Sequence, residues 1–149
     1  MGKNQIVGII LVGLIITVSL VLRHYSFNAA RQAKQHPDCV FCQIVAHKSP
    51  ATYIRETDDL IVINNIAPKA PLHYLIIPKK HIVDLQSLED NERSLAANML
   101  FMARDLAKDL PGSQSFKLIS NNGAKAGQSI FHIHVHFFSW EGHEGAKIF

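Results

Sequence analysis

An α+β domain, with a five-stranded antiparallel sheet, one long and one short helix, and an N-terminal transmembrane helix in front, is the architecture this 149-residue sequence predicts. Three observations carry it. An uncharged apolar run opens the chain, short β-rich runs separated by turn signals follow, and between them one polar stretch repeats its apolar residues at helical spacing. The length suits one domain, and a charged fraction of only 18% argues against disorder.

The opening run, residues 6–22 (IVGIILVGLIITVSLVL), holds seventeen residues without a charge between Lys3 and Arg23. Apolar residues lie all round it, which argues against a soluble amphipathic helix, and with its polar neighbours it approaches the ~30 Å of a hydrocarbon core. The expectation is a membrane anchor over 4–23. A cleaved signal peptide is the rival reading, but its apolar region is long for that role and no A-x-A site follows directly; Ala29–Ala30 is the nearest small pair. Arg23, Arg31 and Lys34 after the run outnumber Lys3 before it, so a single-pass protein would place its C-terminal domain in the cytoplasm.

Charge divides the chain at the same place. The whole protein carries +3, yet residues 1–35 hold four basic residues and no acid. The remaining 114 carry 11 basic and 12 acidic residues, a net −1. Bulk attraction to nucleic acid is therefore not expected of the folded part, and any phosphate it handles needs a local site.

Residues 24–37 read as a polar tether ending at Pro37, and 38–149 as the folded domain. A short helix is expected around Phe41–Ala46. Strands are expected at Thr52–Arg55 and Leu60–Asn64 across an Asp58–Asp59 turn, and a third at Leu72–Ile77, stopped by Pro78. Ser87 and Asp90 form an S-x-x-D start signal before Leu95, Met99, Met102 and Leu106, whose spacing predicts the long helix, closed by Pro111–Gly112. Phe116–Ser120 and Ile130–Phe138 complete the sheet.

The last of these strands reads FHIHVHFF from Phe131 to Phe138. Strand alternation puts Phe131, Ile133, Val135 and Phe137 on one face and His132, His134 and His136 on the other. A row of imidazoles serves a metal site or nucleophilic catalysis. The loop 121–129 before it (NNGAKAGQS) supplies glycines for close approach, amides for phosphate oxygens and a hydroxyl for a leaving group. Together they indicate phosphoryl or nucleotidyl transfer.

The G-Q-S followed by H-φ-H-φ-H-φ-φ resembles the histidine triad (HIT) family, in particular its branch of small nucleoside phosphoramidases and dinucleotide hydrolases. Cys39-Val40-Phe41-Cys42-Gln43-Ile44 is similar to the family's C-x-F-C-x-I, and the stretches from Ala67 to His73 and from Ile77 to Ile82 are similar to its central strand and following turn. The resemblance covers about 38–138. It implies that His134 attacks the α-phosphorus of a nucleoside phosphoramidate or dinucleoside polyphosphate to give a nucleotidyl-histidine. It implies that His136 and His73 orient the reacting groups. Asn121, Gly127, Gln128 and Ser129 match phosphate-contacting positions, with Ser129 also where the leaving group's proton donor stands. Asn65 replaces the Asp with which many relatives contact ribose hydroxyls, and the tail 139–149 lacks the Gly-Gly-Arg and Trp-Pro-Pro pattern of the phosphoramidase branch.

Cys39 and Cys42 form C-x-x-C, which alone means a disulfide, a redox pair, free thiols or a metal site. The resemblance implies structural zinc on Cys39, Cys42, His81 and His132, no organic cofactor, and a homodimer through the long helix and an edge strand. A catalytic metal on His132, His134 and His136 is a competing reading, and a nucleotide sensor or scaffold with little turnover is a competing function. His24, His36, His47 and His143 read as surface or tether residues.

Overall fold

The computed structural model describes residues 14–24 and 36–140. Residues 14–24 are helical and form the described part of α1. Among the described residues no helix is long and apolar enough to cross a membrane. This corrects the expected transmembrane helix, and the single-pass location with a cytoplasm-facing domain falls with it. The start of the expected anchor, 4–13, and most of the expected tether lie outside the described residues.

The domain begins with α2 (Val40–Val45). A hairpin of β1 (Tyr53–Glu56) and β2 (Leu60–Asn64) follows, and then β3 (Leu72–Pro78). After two short 3₁₀ turns come α3 (Arg93–Asp109), β4 (Phe116–Ile119) and β5 (Val135–Ser139). The strands form one antiparallel sheet in the order β1-β2-β3-β5-β4.

Both faces of this sheet are covered, which explains why β2 is apolar without interruption rather than alternating. Leu60, Val62, Tyr74, Ile76 and Phe137 face α3, which buries Met99, Met102, Ala103, Leu106 and Ala107 against them. Ile61, Ile63, Leu75 and Ile77 face α2 through Phe41, Ile44 and Val45. Each large side chain buried in this way contributes about 1.5–3 kcal/mol. On β3 and β5 the α2 side also carries His73, paired with Phe138, and His136, paired with Leu75. The sheet thus sets these two imidazoles side by side next to a dry core.

Two elements differ from expectation. The long helix starts at Arg93 rather than near Ser87, because the start signal is used differently. Asp84 accepts hydrogen bonds from the Ser87 backbone N–H and hydroxyl, closing a separate turn. The capping box before α3 is formed by Glu89 and Glu92, with Glu92 buried and paired to Lys80. The last strand begins at Val135, not Ile130, since Pro78 ends β3 and has no N–H to extend the ladder. Ile133 N–H donates instead to Ile82 O at 2.6 Å, and His132 N–H to Ile130 O at 2.9 Å. Strict alternation therefore does not govern 130–134. Phe131 is half exposed while Ile133 and His132 are buried.

Candidate functional site

His134 lies on this irregular approach to β5 and is buried, with the edge of its ring against Phe41 at 5.1 Å between centroids. Its Nδ1 stands 2.8 Å from the backbone carbonyl of His132. A carbonyl only accepts, so Nδ1 carries the proton and the lone pair is on Nε2. Burial pushes this imidazole below its ordinary pKa, against the carbonyl, which favours the protonated ring; the nearby His132 lowers it further. The result is a neutral imidazole of fixed tautomer, the form required of a nitrogen nucleophile.

A second tautomer chain runs beside it. The Lys69 backbone N–H donates to His73 Nδ1 at 3.2 Å, so neutral His73 bears its proton on Nε2. That nitrogen is 2.9 Å from His136 Nδ1. His136 then accepts on Nδ1 and keeps a proton on Nε2, the opposite of His134. Burial and the positive charge of Lys69 lower His73 to about 4. Burial, together with His134, His73 and Lys69, lowers His136 to about 4. The three neighbouring imidazoles are thus uncharged at neutral pH, two with defined proton positions supplied by backbone groups. Phe138 lies 4.1 Å from the His73 ring and Trp140 5.7 Å from Phe138, continuing an aromatic ladder away from the site.

The Asn65 side chain holds the turn between β2 and β3. Its Oδ1 accepts from Ala67 N–H at 2.8 Å; its Nδ2 lies 3.1 Å from His73 Nε2, which on the tautomer set by Lys69 is a meeting of two donors and not a hydrogen bond. In the loop 121–129, Gly127 has φ +86° and Gly123 φ +87°, positions that need glycine. Gln128 is buried, and its amide is spent within the protein: Oε1 accepts from Gly123 N–H, and Nε2 donates to Val83 O and Ile130 O. Asn121 donates weakly to Gly127 O at 3.5 Å, while Ser129 is exposed at a cleft shared with His36, Asp38, Cys39 and Phe131. The loop is tied down by Asn122, whose Oδ1 accepts from Leu85 N–H at 2.6 Å. No motif singles out Asn122, nor the carbonyl of His132 and the amide of Lys69; main-chain partners leave no mark in side-chain spacing.

The other face of the triad belongs to a separate group. Cys39, Cys42, His81 and His132 bring four candidate ligand atoms within 4.8 Å of one another. His132 Nε2 donates to Pro78 O at 2.8 Å, leaving Nδ1 to face Cys39 Sγ at 3.4 Å and Cys42 Sγ at 3.6 Å. His81 Nδ1 is 3.2 Å from Cys42 Sγ. A carbonyl behind a ligand imidazole is the usual outer partner of a metal site, and two thiols with two imidazoles form a tetrahedral donor set. The Cys42 thiol donates to Cys39 and holds it well below the ordinary thiol range against the cost of burial, while Cys42 is pushed up by retaining the proton. His36 stacks on His81 with centroids 3.7 Å apart, so it belongs to the wall of this group rather than to open surface. His143 lies outside the described residues.

Comparison with known proteins agrees with this arrangement. The family model described as "Scavenger mRNA decapping enzyme C-term binding" matches residues 38–147. An uncharacterized HIT-like protein of Synechocystis is 35% identical over 69% of this chain and 95% of its own. Protein HitA of Neisseria gonorrhoeae is 34% identical over 66% of this chain and 92% of its own. Among solved structures, a HIT family hydrolase from Legionella pneumophila superposes with a TM-score of 0.66 at 34% identity, covering 74% of this chain and 96% of that one. A zinc-bound histidine triad family protein from Mycobacterium smegmatis gives 0.63 at 32%, covering 74% and 80%.

Proposed function

This chain belongs to the histidine triad family, and on that premise we propose that it hydrolyses or transfers nucleotides by attack of His134 Nε2 on the α-phosphorus of a nucleoside phosphoramidate or dinucleoside polyphosphate. The observation that carries the reading is the 2.8 Å contact of His134 Nδ1 with the His132 carbonyl, which directs the lone pair to Nε2. In the first step the Nε2–P bond forms and the bond to the leaving group breaks, with the Ser129 hydroxyl supplying the leaving group's proton. Water then attacks phosphorus as the His134 Nε2–P bond breaks; its hydroxyl stays on phosphorus and its other proton restores the Ser129 hydroxyl, releasing the nucleoside monophosphate and free His134. His136 Nε2–H donates to a phosphate oxygen and stabilises the charge that develops there. Asn65, Asn121 and Gly127 line the substrate's side of the site, and Gln128 holds the loop.

Zinc is proposed for Cys39, Cys42, His81 and His132, where it would fix His132 and, through its carbonyl, the tautomer of His134. A homodimer through α3 and the edge strand β4 is proposed as well, in keeping with the outward Leu100, Phe101 and Phe116. A second reading, a nucleotide sensor without useful turnover, draws on Asn65, whose Oδ1 is already committed to Ala67 N–H. Quenched reaction of the full chain with a phosphorus-labelled nucleotide tests the choice. Label mapped to His134 and absent from His134→Ala supports hydrolysis; nucleotide binding with neither adduct nor product supports the sensor.

A further inference from the structure

The two cysteines differ in their access to solvent. Cys42 is fully buried, whereas Cys39 is half-buried and lines the open cleft shared with His36, Asp38, Val40, Ser129 and Phe131. The cleft holds about 410 Å³, ample for a small solute to reach this residue. Cys39 is the N-cap of α2 and Cys42 its third residue, so their side chains emerge one turn apart. Their sulfurs lie within 4.8 Å of one another, and the Cys42 thiol donates to Cys39. No other cysteine occurs in the chain, and neither of these is in a disulfide.

Two structural links join this pair to His134. His132 Nδ1 faces both sulfurs, 3.4 Å from Cys39 and 3.6 Å from Cys42, while its carbonyl accepts from His134 Nδ1 at 2.8 Å. Phe41, inside the C-x-x-C, meets His132 edge to face with centroids 5.8 Å apart and His134 in the same way at 5.1 Å. A rearrangement of the two sulfurs therefore acts on the residue that fixes the His134 proton and on the ring that packs against it.

We propose that Cys39 is an oxidation site: a hydroperoxide entering the cleft converts Cys39 and Cys42 into a disulfide, which withdraws both sulfur ligands from the metal site and releases His134 from its fixed tautomer. In the first step the O–O bond breaks, one oxygen passes to Cys39 Sγ as a sulfenic acid, and the other leaves as water or alcohol. Cys42 Sγ then attacks Cys39 Sγ; the S–S bond forms, the S–O bond breaks and that oxygen leaves as water. The two sulfurs lose two electrons and the peroxide gains them. The two protons needed come from the thiols, or from solvent where the thiols are ionised on a metal. Cys42, sheltered from the oxidant but beside Cys39, is placed as the resolving thiol. Only His81 and His132 then remain as donors, too few for a closed tetrahedral site. The inference rests on the zinc reading above and adds a state in which the metal is released.

The reduced full chain is analysed for zinc and then treated with hydrogen peroxide in slight excess. Zinc release is followed with a chromogenic chelator, the thiols by intact mass and non-reducing peptide mapping, and the His134 ring by nitrogen-15 NMR. Expected are the loss of two hydrogens from the intact mass, a Cys39–Cys42 link within one chain, release of one zinc per chain at the same rate, and loss of the single Nδ1–H tautomer of His134. Dithiothreitol and zinc should reverse all four. In the reduced, chelated chain, limited iodoacetamide should alkylate Cys39 roughly tenfold or more faster than Cys42. The proposal is overturned by thiols that survive the peroxide, by sulfinic acid without a disulfide, or by a link between chains. It is overturned equally by a disulfide that leaves the metal or the His134 tautomer unchanged, and by Cys42 reacting as fast as Cys39. A reduced chain that carries no zinc fails the zinc reading, and the disulfide and the His134 tautomer still test the oxidation site. Adduct formation at His134 in the reduced protein is a separate measurement, so the hydrolase reading stands or falls on its own.

Discussion

His73 Nε2 lies 2.9 Å from His136 Nδ1, and the Lys69 amide on the far side of the His73 ring decides which of the two carries the proton. The proton order is Lys69 N–H to His73, then His73 Nε2–H to His136, leaving His136 Nε2–H to donate outward. His73→Ala removes the middle of this chain. A neutral hydrogen bond is worth about 0.5–1.5 kcal/mol net, so the outward-donating tautomer of His136 should lose roughly threefold to tenfold of its preference. Nitrogen-15 NMR of the His136 ring measures this directly: a single Nε2–H tautomer in the unmodified protein and a mixture in the variant are expected, with kcat falling at least as far.

Acid should weaken the fold over a defined window. His73 and His136 stand at about 4 in the folded protein against 6.5 for a free imidazole. The native state therefore binds fewer protons than the unfolded chain between these limits, and stability falls as pH drops from about 6.5 to about 4. The His136 shift includes repulsion from neighbouring imidazoles, that of His73 includes the Lys69 charge, and His136 is only partly buried, so the combined loss is on the order of 3 kcal/mol rather than twice the single-site value. Urea unfolding at pH 7 and pH 4.5 checks it, and His73→Phe should flatten the dependence.

Metal content separates the two readings of the triad. His134→Ala should retain one zinc per chain, whereas His132→Ala and Cys42→Ser should lose it. A metal free at 100 to 1,000 times its Kd stabilises by about 2.7–4.1 kcal/mol, and for a domain of this size chelation should lower Tm by roughly 10–15 °C. Elemental analysis with thermal unfolding measures both. Loss of metal from His134→Ala would favour the three-histidine catalytic site instead.

The two loop glycines should differ in a way that open space alone would not suggest. A Cβ at Gly123 meets nothing within 4 Å, and one at Gly127 meets only Asn121 at 3.9 Å. Backbone conformation decides the outcome. Gly127 is left-handed helical (φ 86°, ψ 13°), a region other residues enter at about 1 kcal/mol, while Gly123 (φ 87°, ψ 156°) sits where essentially only glycine goes. Gly123→Ala should therefore cost about 2–3 kcal/mol and Gly127→Ala about 1 kcal/mol in denaturant unfolding.

The helix and strand order of the domain was legible in the sequence because its signals are local. The Asp58–Asp59 turn, the Pro78 stop and the spacing of Met99, Met102 and Leu106 each act within a few residues, and the family motifs from Cys39 to Phe138 are contiguous stretches. The anchor was misjudged from equally local information. A run of apolar residues fixes hydrophobicity but not the span of a helix, and among the described residues no helix is long and apolar enough to cross a membrane.

The sequence by itself determined which imidazoles and thiols the protein possesses; the pairing of β3 with β5 put His73 and His136 on one face. How each is oriented and protonated was decided by tertiary structure. Two-residue alternation would have put His132, His134 and His136 in one row, but the ladder stops at Pro78, and the chain before Val135 is held by Ile82 and Ile130 instead. That break turns His132 towards the cysteines and leaves its carbonyl to fix the proton on His134. The tautomers follow from main-chain donors and acceptors, which every residue carries alike, so only folding could select those at Lys69, Pro78 and His132.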